Sequence, residues 1–379
     1  MKAMETTADE AEVRLFAVSD VHVDADDNRR WVESLSSTAY KNDAIIVAGD
    51  MSDDRAMLEQ ALTVLRAKFA QVFFTPGNHD LWLNREDERH GVRDSFTKLK
   101  SILRQCEEIG VHVQGPARVG TAAAGVRVCP LLAWHHASFD TEPDLKGFQI
   151  PPVHAIMTDF RNAAWPPPLD PRTDSVARAV DALNDDVLPS VTADADADEP
   201  LITFSHFLPR VELLPEKRFL TLPPLAKASG SAFLAARVAQ LRPAMHVFGH
   251  THFGWDATLE GVRYVQGALA YPGERQSRWH TLQVGDFGAD GPLLLWSSRD
   301  GMAPHMHCRW SGYYEAHARE PERVWELAEY AARQWARTDE RAKLITPDFS
   351  HETGANARAG VRMLEADPAF VKPPAAWHR

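Results

Sequence analysis

Residues 71–80 read QVFFTPGNHD: five residues of mostly aromatic and β-branched character, Gln71–Thr75, followed at once by Pro76, Gly77, Asn78, His79 and Asp80. A short apolar run of this kind predicts a buried strand, and the Pro-Gly pair ends it. Upstream, residues 44–48 (AIIVA) end in Gly49 and Asp50, and residues 13–19 (VRLFAVS) end in Asp20, Val21 and His22. The stretches 29–40, 55–69 and 95–109 read as helices, the second capped by Asp53 or Asp54. Alternating strands and helices, with polar residues where each strand stops, predict parallel βαβ units.

Further along, residues 111–113, 118–119 and 126–132 read as short strands, the last leading to Trp134, His135 and His136 in a loop. Residues 151–171 are Pro-rich and predict an irregular excursion; 174–187 reads as a helix, and the acidic stretch 193–200 (ADADADEP) as an exposed loop. Pattern returns at 200–204 (PLITF), a strand ending in Ser205 and His206, then a helix at 231–241, then 244–248 (AMHVF) ending in Gly249, His250, Thr251 and His252. Residues 263–266, 281–284 and 293–297 read as strands of a second, more antiparallel sheet. Residues 320–337 read as a helix with Trp325 and Trp335 on one face. The expected organisation is a polar tail over 1–12, a domain over 13–300 with insertions at about 140–200, and a C-terminal helical extension over 301–379.

Composition narrows the possibilities. Of 379 residues, 41 are Lys or Arg and 53 are Asp or Glu, a formal charge of −12, which argues against nucleic acid as a partner. No apolar run is long enough to span a bilayer and residues 1–13 lack an apolar leader, so the chain is expected to be cytoplasmic. Three cysteines without CxxC spacing predict neither a disulfide framework nor a zinc ribbon.

Five strand ends thus carry Asp20 and His22, Asp50, Asn78 with His79 and Asp80, His206, and His250 with His252. In an open α/β sheet the carboxyl ends of strands face one crevice, so these groups can converge. Carboxylate, amide oxygen and imidazole suit Mn, Fe or Zn, and their number suits two divalent ions with Asp50 between them. Such a pair lowers the pKa of a water held between them and polarises phosphoryl oxygens.

In their order, Asp20-Val-His22, Gly49-Asp50, Gly77-Asn-His-Asp80, Ser205-His206 and Gly249-His-Thr-His252 resemble the five blocks of the calcineurin-like metallophosphoesterases. The resemblance implies an α/β fold, a four-layer αββα sandwich of two mixed sheets, and hydrolysis of phosphoester bonds by a dinuclear centre. It places Asp20, His22, Asp50 and His252 on one ion and Asp50, Asn78, His206 and His250 on the other. His79, oriented by Asp80, is implied as the group that protonates the leaving oxygen or stabilises charge on the phosphoryl group; Asp80 also reads as a helix cap.

The sequence departs from the phosphoprotein phosphatases of that family, because residues 49–55 read GDMSDDR with Arg55 one place late, and from the purple acid phosphatases, because His22 is present. A small or nucleotide-type phosphoester substrate remains. Arg210, Lys217 and Arg218 are candidate contacts for its anion, as are Arg263, Tyr264, Tyr271, Arg275 and Arg278 after the last block, against the alternative of a solvated surface. Two other functions fit the same fold, a non-catalytic scaffold and a nuclease; the complete ligand set tells against the first and the acidic charge against the second.

Overall fold

A computed structural model describes residues 11–193, 199–282 and 291–350. The three N-terminal apolar runs are strands, β1 (Arg14–Val18), β2 (Ala44–Ala48) and β3 (Gln71–Thr75), paired in parallel with Leu15 opposite Ala44 and Ala44 opposite Gln71. Helices Asp26–Ser34 and Arg55–Lys68 connect them. Asp54 is the cap of the second, its carboxylate accepting from the amides of Ala56 and Met57.

Six further strands form a second sheet: β4 (Ala117–Gly120), β5 (Gly125–Pro130), β6 (Leu201–Phe204), β7 (Met245–Val247), β8 (Trp255–Leu259) and β9 (Val262–Gln266). Their order is β4-β5-β6-β7-β9-β8, parallel at the centre and antiparallel at both edges. β10 (Leu293–Ser297) and β11 (Gly301–Met302) return to the first sheet, whose order is β11-β10-β1-β2-β3.

Side chains alternate across each strand, which divides the apolar runs between two cores. Leu15, Ala17, Ile46 and Phe73 of the first sheet meet Val126, Val128, Ile202, Phe204 and Val247 of the second. Phe16, Val18, Ile45, Val47, Val72 and Phe74 turn the other way, in a cluster with Leu58, Leu62, Leu65, Leu99 and Ile102 of helices Arg55–Lys68 and Ser95–Glu108. Cys129 and Leu131 pack with Val176, Val180, Leu234 and Val238 of helices Ser175–Asp181 and Ala232–Leu241. The result is the expected sandwich, helix, sheet, sheet and helix. Each buried Leu, Ile, Val or Phe contributes about 1.5–3 kcal/mol to holding the layers together.

Several expectations change. β9 joins the second sheet parallel to β7, and β10 joins the first, so the later strands do not make a separate antiparallel sheet. Residues 281–282 end the helix Pro272–Leu282 instead of opening a strand, and 283–284 lie outside the described residues, as does most of the acidic loop. Residues 111–113 make only a single bridge, Phe73 to His112.

The helix read over residues 320–337 is the largest correction. Within 320–337 only Glu329–Ala332 is helical; β12 (Glu326–Ala328) pairs in parallel with β13 (Lys343–Ile345), and a helix lies earlier, at Arg309–Ala316. The cause is tertiary. Glu320 and Glu326 reach the buried Arg218 guanidinium at 3.3 and 3.0 Å, and Trp335 Nε1 donates to the Thr221 carbonyl, which stretches the segment over residues 217–221. Residues 351–379 lie outside the described residues. Among the described residues no helix is long and apolar enough to cross a membrane.

Candidate metal centre

The carboxyl ends of β1, β2, β3, β6 and β7 meet at one edge of the sandwich. Their loops are knitted together by main-chain hydrogen bonds: Asp20 N to Gly49 O, His22 N to Asp50 O, and Gly249 N to His206 O, at 2.9–3.0 Å. Asp20, His22, Asp50, His250 and His252 all have positive φ, between 46° and 76°. Left-handed backbone at non-glycine residues costs free energy, and its concentration here shows that the surrounding structure over-determines these side-chain directions. Gly77 is required by close approach, since a Cβ there would lie 2.1 Å from Asp50 Oδ1. Gly49 combines φ +80° with a Cβ position 2.4 Å from His206 Nδ1.

Two groups of donor atoms result, Asp20, His22, Asp50 and His252 in one and Asp50, His206 and His250 in the other, with atoms in each within 4.8 Å of one another. Asp50 belongs to both: its Oδ2 lies 3.9 Å from His22 Nε2 and its Oδ1 3.4 Å from His206 Nε2. Asn78 Oδ1 joins the second group, 3.0 Å from His206 Nε2 and 2.9 Å from His250 Nδ1.

The far nitrogens of three histidines are committed. His206 Nδ1 donates to the Ala48 carbonyl at 3.0 Å, His250 Nε2 to the Ala228 carbonyl at 2.9 Å, and His252 Nδ1 to Glu274 Oε2 at 2.6 Å. In the neutral rings, the lone pairs of the other nitrogens then point inward. They face further acceptors, with His22 Nε2 3.2 Å from His252 Nε2 and His250 Nδ1 3.3 Å from His206 Nε2. Convergent lone pairs at this spacing repel unless positive charge lies between them. The donor set therefore fits a cation in each group.

Electrostatics without ions gives the same picture. Burial opposes a charge on His206 and His252, yet the carboxylates of Asp50 and Asp20 carry His206 up to about 9, and Glu274 and Asp20 carry His252 up to about 10. Burial drives His22 and His250 down to about 3. Each group draws in one positive charge, which a metal ion can replace.

His79 stands beside the groups, with Nε2 3.9 Å from Asp50 Oδ2 and Nδ1 3.4 Å from the Tyr271 hydroxyl. Its ring lies against Trp82, centroids 3.6 Å apart. Desolvation holds the carboxyl groups of Asp24, at the exposed rim, and of Asp53 above the ordinary carboxylate range, opposed by His79 at Asp24 and by Lys98 and His79 at Asp53. The sequence expectation that Asp80 orients His79 is corrected. Asp80 accepts from the amides of Asp50, Met51, Ser52 and Gly77 at 2.7–3.0 Å, so it fastens the Asp50 loop to the Asn78 turn. Burial and the charge of Asp50 push its carboxyl up to about 7, against the pull of those amides.

The three candidate substrate cations are paired within the protein. Arg210 meets Glu212 and Glu260 at 2.7 and 2.8 Å and borders a cavity of about 770 Å³ with Phe139, Ala235 and Tyr264. Lys217 meets Asp140 and Asp144 at 2.6 and 2.8 Å, and Arg218 meets Glu216, Glu320 and Glu326. Arg275 donates to the carbonyls of Leu269 and Ala270 and to Asn28. Ion pairing of this kind needs partners distant in sequence, which a motif search does not see.

The sequence profile of the calcineurin-like phosphoesterases matches residues 13–254. This chain belongs to that family. It is a metal-dependent phosphoric ester hydrolase. Among its relatives, an [acyl-carrier-protein] phosphodiesterase, PptH, of Mycobacterium tuberculosis is 25% identical over 273 residues, covering 71% of this chain and 81% of that protein. The crystal structure of that phosphopantetheinyl hydrolase superimposes with a TM-score of 0.56 at 24% identity, over 71% of this phosphoesterase and 93% of the relative, and shows the shared fold.

Two residues in contact with the site's histidines were not signalled by its motifs. Glu274, which accepts from His252, follows it by 22 residues, and Trp82, whose ring lies against His79, was not singled out. Only Trp82 carried a clue, its position three residues after His79 at the start of a short helix, where i and i+3 side chains meet.

Proposed function

We propose that this chain hydrolyses phosphodiesters with two divalent cations, one held by Asp20, His22, Asp50 and His252 and the other by Asp50, Asn78, His206 and His250. The placement of Asp50 carries the reading, one carboxylate oxygen turned to each group. When bound, the ions, Mn, Fe or Zn by the character of their donors, supply Lewis acidity to the phosphoryl oxygens and lower the pKa of water at the centre.

Proton transfer falls to His79. Its Nε2 is on the Asp50 side and its Nδ1 is within reach of the Tyr271 hydroxyl, so a proton held at Nε2 can pass to the departing alkoxide oxygen. One water is consumed, its oxygen bonds to phosphorus as the phosphorus–oxygen bond to the leaving group breaks, and a phosphomonoester and an alcohol result. Trp82 and Tyr271 wall the imidazole and limit bulk water around it.

A diester bears one negative charge and a monoester close to two at neutral pH. The side chains around His79 are aromatic or acidic, Trp82, Tyr271, Asp24 and Asp53, while Arg210, Lys217 and Arg218 are spent on carboxylates; this favours the monoanion. The mycobacterial relative is named for a diester on acyl carrier protein. We carry that bond class to this chain: a phosphodiester joining a pantetheine-like arm to a carrier protein.

The test is Mn(II)-loaded protein assayed on bis-p-nitrophenyl phosphate, p-nitrophenyl phosphate and a phosphopantetheinylated carrier protein. Faster turnover of the diester than the monoester, with release of the phosphopantetheine arm, is expected. Preference for the monoester with the carrier protein left intact would refute the substrate class.

A further inference from the structure

One carboxylate outside both donor groups touches two parts of the centre at once. Asp159 opens the single-turn helix Asp159–Asn162 and is 2% exposed. Its Oδ1 accepts from Asn78 Nδ2 at 2.8 Å and from Trp82 Nε1 at 2.7 Å. Its Oδ2 lies 3.1 Å from Nε2 of His135, which is itself 1% exposed and packed against Trp134 and Phe207. Asp159 and His135 come from the Pro-rich excursion and the loop after β5, outside the strand-end motifs.

The two ends of an asparagine amide have nearly the same shape and opposite chemistry. An ionised carboxylate only accepts, so Asn78 must show Asp159 its NH2 group, and the amide oxygen is left facing His206 Nε2 and His250 Nδ1. Reversed, the amide would aim two N–H donors at the place where a cation belongs. The same Asp159 oxygen holds the Trp82 indole, whose ring lies against His79.

We propose that Asp159 is a positioning residue of the hydrolytic centre, fixing Asn78 with its oxygen towards the second cation and holding Trp82 against His79. The inference rests on the reading of Asn78 as a ligand in a two-cation site. Partners that orient a metal ligand typically carry a 10–100-fold effect on metal affinity, which sets the scale expected here.

The experiment titrates metal-free wild type, Asp159→Leu, and the exchanged pair Asn78→Asp with Asp159→Asn, using Mn(II) alone, followed by calorimetry and electron paramagnetic resonance. Wild type should take up two ions with an exchange-coupled spectrum. Asp159→Leu, which removes the shared acceptor oxygen at similar size, should bind the first ion as wild type does and the second at least tenfold more weakly, coupling appearing only at high Mn(II). The exchanged pair should regain the second ion, because a carboxylate at 78 presents oxygen in either orientation and the amide at 159 can donate to it. Trp82→Phe, which lacks the indole donor, should keep both ions.

Wild-type affinity for both ions in Asp159→Leu would overturn the proposal, and so would an exchanged pair no better than the single variant, since that marks general damage. A wild type that takes up one ion with an uncoupled spectrum would instead sink the two-cation reading, and this inference with it.

Discussion

Tyr271 lies flat against His22, ring centroids 4.1 Å apart and planes 16° apart, while its hydroxyl reaches to 3.4 Å from His79 Nδ1. One side chain thus touches both a member of the first donor group and the His79 ring beside it. Tyr271→Phe keeps the stacking and removes the hydroxyl. Turnover of an alkyl diester should fall about tenfold, on the scale of a weakened general acid, while a nitrophenyl diester and Mn(II) content change little. Equal losses on both esters would show that the hydroxyl does not serve leaving-group protonation.

His79 and Asp80 are neighbours with separable effects. His79→Ala should lower turnover of a poor leaving group by about 10²–10⁴ with unchanged metal content and melting temperature. Asp80→Asn replaces a carboxylate oxygen by an NH2 group facing backbone amides, leaving a buried donor without its acceptor at a cost of about 1–3 kcal/mol. Its melting temperature and its metal affinity should fall together. A stable Asp80→Asn protein with full metal affinity and impaired turnover would restore a catalytic role to Asp80.

Arg218 is enclosed by Glu216, Glu320 and Glu326 and holds the C-terminal segment to residues 216–218. Arg218→Met should destabilise the fold by about 3–5 kcal/mol in denaturant unfolding, because it leaves the buried Glu216 carboxylate without its cation. KM for a diester should stay as in wild type for the folded protein. A raised KM with unchanged stability would return Arg218 to the substrate.

The sandwich and the donor atoms could be read from the sequence because both are local signals. Each strand is an apolar run closed by Ser, Gly or Pro, and each donor follows its strand within five residues, so topology alone brings Asp20, Asp50, Asn78, His206 and His252 to one edge. What could not be read depends on contacts between distant segments. The stretch 320–337 has the composition of a helix, but Arg218 and Thr221 hold it extended. Asp80 looked like a partner for the adjacent His79 because the two are consecutive; four backbone amides from two loops claim it instead. Asp159 sits 81 residues from the Asn78 that it binds, in a stretch with no periodicity at all.

His246 on β7 is fully buried between the hydroxyls of Thr203 and Ser205, at 2.8 and 3.0 Å, and burial lowers its pKa to about 3. An unfolded histidine titrates near 6.5, so below that pH the unfolded chain binds the extra proton. The stability contributed by the neutral ring is complete above about pH 6.5 and is lost as pH falls towards 3, at up to about 1.4 kcal/mol per unit. His246→Gln removes this dependence. Between pH 7.5 and 4.5 the wild type should lose about 3 kcal/mol more than the variant in denaturant unfolding; parallel curves would show that the folded state does not hold the His246 ring neutral.

Asp50 decides the whole reading, because it alone among the described donors belongs to both groups. The direct measurement is the Mn(II) content and electron paramagnetic resonance spectrum of the wild type beside Asp50→Ala, each reconstituted from metal-free protein. Two ions per wild-type chain with an exchange-coupled signal, and loss of that coupling with at least one ion in Asp50→Ala, is the expected result. A coupled pair that survives in Asp50→Ala, or a wild type that never holds more than one ion, would contradict it.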